Sequence, residues 1–284
     1  MKMYLFAGRA PKSEREYDCE IFADNHADAL PQAKSYFGPE LSEITLIKVE
    51  RDDNKPAPKV LIACERFGVV RDAFIKAGFN AVSCDLVESA VPGPHITGDV
   101  LDVLDQGWDL MIAHPDCTYL TSSAAWAFGD GPYHQKVKPC TLVGEARREA
   151  RSEALDFIAL LAAAPIHRIA IENPARGFLN TMLNFEAFGF RSNFPTQVIK
   201  PHQFGHDASK DTGLALRNLP DLIPTLHIDP RWVARPGKKA LPRWANQTDS
   251  GQNKLPPSKD RAMLRAKTYQ GWADAMAKQW GDLL

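Results

Sequence analysis

Near the N-terminus, apolar and polar positions alternate in three short runs, Met3 to Gly8, Tyr17 to Ala23 and Glu43 to Val49. Alternation with period two is the pattern of half-buried strands, so three strands are predicted. Between the second and third, Asn25 offers an N-cap to a helix reaching about Phe37. Residues 1–51 therefore read as a small α/β unit. The string RDDNKPAPK, Arg51 to Lys59, then breaks the pattern with charge and proline, which places a linker at 52–59.

After the linker the period changes. Short continuous apolar runs alternate with helical stretches, as in a parallel sheet covered on both faces. Val60 to Cys64 is the first strand, Val70 to Ala77 a helix stopped by Gly78, Asn80 to Asp85 the second strand, His95 to Thr97 a short third and Asp109 to Ala113 the fourth. A loop holding Gly129, Gly131 and Pro132 leads to a long helix, Leu142 to Ala163, and Arg168 to Ile171 is the fifth strand. Gln197 to Lys200 and Gly213 to Arg217 are the sixth and seventh, and Asp260 to Gln279 has the apolar spacing of a helix packed back on the core, with Tyr269 and Trp272 as core residues. The fold class is α/β, with a Rossmann-like sheet in a domain over 60–284.

Charge is nearly balanced overall at -1, but it is unevenly distributed. Residues 231–267 carry ten basic side chains against two acidic ones, much of this in a segment at about 226–260 that also contains Trp232 and Trp244. Such a segment contacts phosphates and stacks on bases, or it is a solvated basic loop; the sequence leaves both open. Five widely spaced cysteines without a CxxC pair argue against a disulfide framework or zinc cluster. His202 and His206 lie four apart in a loop with no further ligand beside them, so no metal is expected. No apolar run approaches the ~18 residues of a membrane helix, and Met1 to Ala10 lacks a secretory signal, so a cytoplasmic setting is expected.

In a doubly wound sheet, chemistry gathers beyond the carboxyl ends of the strands. Those positions read Glu65-Arg66-Phe67-Gly68, then Asp85, then His114-Pro115-Asp116-Cys117, then Glu172-Asn173-Pro174. Asp85 lies where a carboxylate accepts from both ribose hydroxyls of a nucleotide cofactor, or it is a surface aspartate beside an ordinary turn. A cysteine displayed after a proline at a strand end is a candidate nucleophile, although most lone cysteines are inert. Glu172 follows an apolar strand, where burial would raise its pKa enough to make it a proton donor; a structural ion pair with a basic residue is the alternative.

Together these residues resemble the cytosine-C5 DNA methyltransferase family. Its Pro-Cys motif is similar to Pro115-Asp116-Cys117, and its Glu-Asn-Val motif to Glu172-Asn173-Pro174. Val60 to about Arg217 follows the family order, and WDLMIAHP, RIAIENP and PHQFGH resemble short phage-encoded members, which points toward a restriction-modification setting. The resemblance implies a Rossmann-like S-adenosylmethionine-dependent methyltransferase with DNA as partner. Cys117 would add to C6 of cytosine, and Glu172, with Pro115 and Asn173 in the same motifs, would hold the base and protonate N3. It further implies Glu65, Phe67 and Gly68 against the methionine end of the cofactor, Asp85 on the ribose and Asp99 on the adenine amine. Lys210 would stand in for the arginine of the family's Gln-x-Arg motif, which this chain lacks. Arg235, Lys238, Lys239 and Arg243 of the basic insertion would contact DNA.

Departures keep other readings open. The first turn has fewer glycines than the family's Phe-x-Gly-x-Gly, and Asp116 adds a negative charge that opposes thiolate formation. HPDCTY also resembles the Pro-Pro-Tyr loop of amino-methyltransferases, with Tyr119 displaced by two positions. The further alternatives are a pyrimidine-modifying enzyme acting on nucleotides and an inactive methyltransferase fold serving as a DNA- or protein-binding module.

Overall fold

A computed structural model describes residues 2–9, 16–23, 26–37, 43–51, 56–258 and 261–284. The chain divides into two compact units, 1–57 together with 282–284, and 58–281. In the first, β1 (Lys2–Arg9), β2 (Glu16–Ala23) and β3 (Glu43–Arg51) form an antiparallel sheet in the order β2-β1-β3, with α1 (His26–Phe37) joining β2 to β3. All three alternating runs are thus strands. The proposed N-cap, Asn25, lies outside the described residues.

The second unit is built on seven strands: β4 (Lys59–Ala63), β5 (Asn80–Asp85), β6 (His95–Thr97), β7 (Leu110–Ala113), β8 (Arg168–Pro174), β9 (Gln197–Ile199) and β10 (Thr212–Arg217). Their order is β6-β5-β4-β7-β8-β10-β9, parallel from β6 to β8, with β10 antiparallel to both β8 and β9. This is the expected Rossmann-like α/β sheet, mainly parallel with its late strand reversed. Val60 to Ala63, Leu110 to Ala113 and Ile169 to Ile171 are wholly buried, which is why these strands read as unbroken apolar runs.

Helices cover the sheet. α2 (Val69–Lys76) follows β4, α3 (Gly144–Ala162) precedes β8, and α4 (Leu179–Met182) is a single turn after β8. α3 turns Ile158, Leu161 and Ala162 into the core at helical spacing. Basic residues 231–243 form a hairpin, β11 (Arg231–Arg235) and β12 (Lys238–Arg243), joined by Pro236-Gly237 with Gly237 at φ 66°. The loop alternative for this stretch is therefore corrected. The predicted last helix is also two: α5 (Arg261–Ala266) and α6 (Gln270–Gln279). The break falls where Tyr269 takes an extended conformation and sets its ring 5.1 Å from His206 and 5.0 Å from Trp272. α6 buries Trp272, Ala273, Met276 and Ala277 and packs on α2. Among the described residues no helix is long and apolar enough to cross a membrane.

Candidate active site

The strand order reverses beside β4, with β5 and β6 on one side and β7 and β8 on the other, and the crevice at such a switch point is where α/β sheets bind ligands. The residues flanking it fall into two groups.

On the β4–β5 side, Glu65 is buried, its Oε1 accepting from Val70 N–H at 2.7 Å and its Oε2 from Arg71 N–H at 3.2 Å. A carboxylate on the first amides of a helix satisfies orphan donors and complements the helix dipole. Its carboxylate thus holds the turn into α2. Gly68, at φ 65°, holds a left-handed conformation that strains any residue with a side chain, and a Cβ there would displace Arg71 Nη2, 2.4 Å away. Phe67 beside it is half-buried. Asp85 ends β5 half-exposed; its Oδ1 accepts from Val87 N–H at 3.1 Å, and its Oδ2 has no protein donor among the described residues. Asp99 is exposed and caps a short 3-10 turn through Leu101 N–H at 3.0 Å. Leu86, directly after Asp85, is 76% exposed.

Sequence reasoning passed over Arg71, which is fully buried. Its guanidinium donates to Asp72 Oδ1 (2.7 Å), Ser83 Oγ and Ser89 Oγ (both 3.2 Å) and Pro92 O (2.8 Å). It therefore ties α2 to β5 and to the loop carrying Leu86. His95 fixes the same loop, with Nε2 donating to Val87 O at 3.0 Å and Nδ1 accepting from Ser83 Oγ at 2.8 Å. A single charged residue in an otherwise polar-outward helix gives no signal of burial until the loop is folded over it.

On the β7–β8 side, Cys117 is half-buried in the loop after β7, where its carbonyl accepts from Leu120 and Thr121 N–H at 3.0 and 3.2 Å. Burial pushes its thiol up, and the charges of Asp116 and Glu172 push the same way; Lys210 and a backbone hydrogen bond oppose them. Asp116 itself is held by Thr118, whose N–H and hydroxyl donate to its Oδ1 at 3.1 and 2.8 Å. The motif's other members brace the loop. Asn173, buried, donates through Nδ2 to the carbonyl of buried Pro115 at 3.2 Å.

Glu172 lies in a network. Lys210 Nζ stands 3.8 Å from its Oε1, and His114 Nδ1 donates to its Oε2 at 3.3 Å. Burial favours the neutral acid, but the Lys210 charge and the His114 contacts outweigh it and hold the carboxyl down at about 2. The expectation of a raised pKa is thus corrected: a cation and the His114 donor overrule desolvation. Lys210 also reaches 5.7 Å from the Trp272 ring. Around this pair, His114 Nε2, Thr212 Oγ1 and Trp272 Nε1 are buried and have no hydrogen-bond partner among the described residues. His114 stands at a strand end that the sequence marks, but Thr212 was not foreseen, since only the pairing of β8 with β10 brings it near Glu172.

Several foreseen residues lie elsewhere. Tyr119 lies under the Arg147 guanidinium of α3, 5.2 Å from its ring centroid. His206 Nε2 accepts from Gly271 N–H at 2.9 Å and His202 stacks on Trp244 at 4.3 Å. No group of three or more metal-ligating side chains occurs among the described residues. Arg235, Lys238 and Lys239 are exposed on the hairpin; Arg243, at its end, is half-buried and donates to Asp249 O at 3.1 Å.

No protein-family model and no curated protein matches the chain. Among solved structures, the chain is similar to a mutant of DNMT2 from Spodoptera frugiperda at 15% sequence identity and a TM-score of 0.37, over 59% of this chain and 53% of that one. The match thus spans about half of that protein's length.

Proposed function

We propose that this chain transfers a methyl group from S-adenosylmethionine to C5 of cytosine in DNA through a covalent bond between Cys117 and C6 of the base. The observation that carries this reading is the grouping of Cys117, Glu172 and Lys210, from three separate parts of the chain, at the carboxyl ends of the central strands β7 and β8. Asp85 and Asp99 lie at the strand ends across the switch point.

The residues present fit the cofactor. Asp85 keeps one carboxylate oxygen for ribose hydroxyls, Leu86 offers an apolar face to an adenine, and Phe67, Gly68 and Asp99 complete the rim. When bound, S-adenosylmethionine supplies the electrophilic methyl group. Cytosine C5 is a weak nucleophile until C6 is attacked, which is the task of the Cys117 thiolate. Glu172, ionised, accepts from the exocyclic amine, while Lys210 is the adjacent proton-bearing cation and stabilises charge developing on the ring. After methylation C5 gives up its proton to solvent, and the Cys117–C6 bond breaks to restore the thiolate. A target in duplex DNA has to leave the stack to reach these groups. The hairpin's Arg235, Lys238 and Lys239, with exposed Trp232, are suited to phosphate and base contacts.

The test is methyl transfer from radiolabelled S-adenosylmethionine to DNA, with cytosine nucleotides and no acceptor as controls, followed by nucleoside mass spectrometry. Cysteine-dependent 5-methylcytosine in DNA is the expected product; labelled nucleotides instead would overturn the choice of substrate. Asp116 favours a second reading, since its charge beside the thiol hinders the reaction: an inactive fold that binds DNA. That reading predicts DNA binding without transfer.

A further inference from the structure

We infer that Asn246 is a positioning residue for Lys210, so that the segment leaving the basic hairpin sets the contact between Lys210 and Glu172. The inference rests on the reading of Lys210 as a substrate-contacting group. Lys210 lies in an irregular stretch between the short 3-10 turn Pro201–Gln203 and β10, which begins only at Thr212. No strand pairing therefore fixes its backbone. Three consecutive residues after β12 do so instead. Trp244 stacks on His202 with centroids 4.3 Å apart and ring planes 17° from parallel. Ala245 N–H donates to Asp207 Oδ1 at 2.8 Å.

Asn246 then makes a two-way pairing with Ser209, the residue before Lys210. Its Oδ1 accepts from Ser209 N–H at 2.9 Å, and its Nδ2 donates to Ser209 O at 3.0 Å. A side-chain amide used in this way takes the place of a missing strand partner. Both polar groups of the Ser209 backbone are satisfied, and the chain leaves toward Lys210 in one direction. The Asn246 backbone is held in turn, its carbonyl accepting from Lys254 N–H at 2.9 Å. The arrangement connects the basic hairpin, through residues 244–246, to an ammonium 3.8 Å from Glu172.

The test needs neither cofactor nor DNA for its first readout. Lysine acetylation with acetic anhydride, followed by peptide mass spectrometry, gives the labelling rate of Lys210 against Lys59 and Lys76 as internal references, with Glu172→Gln as the variant in which the contact is lost. Asn246→Ala is expected to speed labelling of Lys210 several-fold toward the Glu172→Gln rate, leaving the references unchanged. Asn246→Asp, which keeps the acceptor for Ser209 N–H and loses the donor, should fall between. In methyl transfer, Asn246→Ala should lower kcat with KM for S-adenosylmethionine unchanged, and Asn246→Asp should restore part of it. A wild-type Lys210 labelling rate in Asn246→Ala overturns the inference, and so does the same result in Asn246→Asp if the alanine variant does not melt cooperatively. Faster labelling in a protein whose wild type transfers no methyl group keeps the positioning role and removes the methyltransferase reading.

Discussion

Two cysteines follow neighbouring strands of the same sheet, Cys64 directly after β4 and Cys117 in the loop after β7, and the groups around them differ. Both are partly buried beside carboxylates. Around Cys64, burial, Asp85, Cys84, Asp99 and Asp116 all act in one direction and push the thiol up to about 12. Around Cys117, burial, Asp116 and Glu172 push upward, but Lys210 pulls back. Lys210 thus offsets part of the upward push on the Cys117 thiol, whereas the groups acting on Cys64 all push one way. Cys64 also sits at φ 58°, a left-handed conformation costing a side-chain-bearing residue roughly 1–2 kcal/mol, where the resembled family places its glycine-rich turn.

The sharpest way to break this comparison is to exchange the fates of the two thiols. Cys117→Ser should lower methyl transfer by on the order of 1000-fold or more, since serine is not ionised there, whereas Cys64→Ser should retain most activity in the same assay. Next in size is Lys210→Met. Removing the cation should cut transfer by roughly 100-fold and slow iodoacetamide alkylation of Cys117 by about tenfold at neutral pH, leaving Cys64 as unreactive as before. Asp116→Asn works in the opposite direction. Loss of one like charge should speed Cys117 alkylation by about threefold to tenfold and move the acid limb of the pH–rate profile to lower pH.

The smallest effect concerns stability. Glu172 is held at about 2, below its ordinary 4.5, so its network contributes stability that is complete above pH 4.5 and is lost as pH falls toward 2. Thermal melts between pH 6 and 3 should therefore show a flatter acid decline for Glu172→Gln than for the wild type. Parallel declines would mean that Lys210 and His114 do not hold the carboxylate down.

The sheet was legible because burial on both faces leaves unbroken apolar runs, and Asp85, Cys117 and Glu172 were legible because they punctuate those runs. What escaped were partnerships. Nothing local to Glu65 says that its carboxylate closes on α2, and nothing local to Arg71 says that a loop folds over it. The burial of Glu172 was foreseen, but its consequence was reversed by Lys210, which reaches it from the irregular stretch before β10, and by His114. The hairpin was missed because basic residues occur on both of its strands and hide the alternation, leaving Pro236-Gly237 as its one local signal.

The central claim, that Cys117 bonds to C6 of cytosine, is tested most directly with a DNA duplex carrying 5-fluorocytosine. Fluorine at C5 blocks the proton loss that releases the thiolate, so the bond to the enzyme persists. The account predicts a DNA–protein adduct that survives denaturing electrophoresis, requires S-adenosylmethionine, maps to the peptide containing Cys117 and is absent in Cys117→Ser. Methyl transfer to ordinary DNA without any such adduct would contradict it.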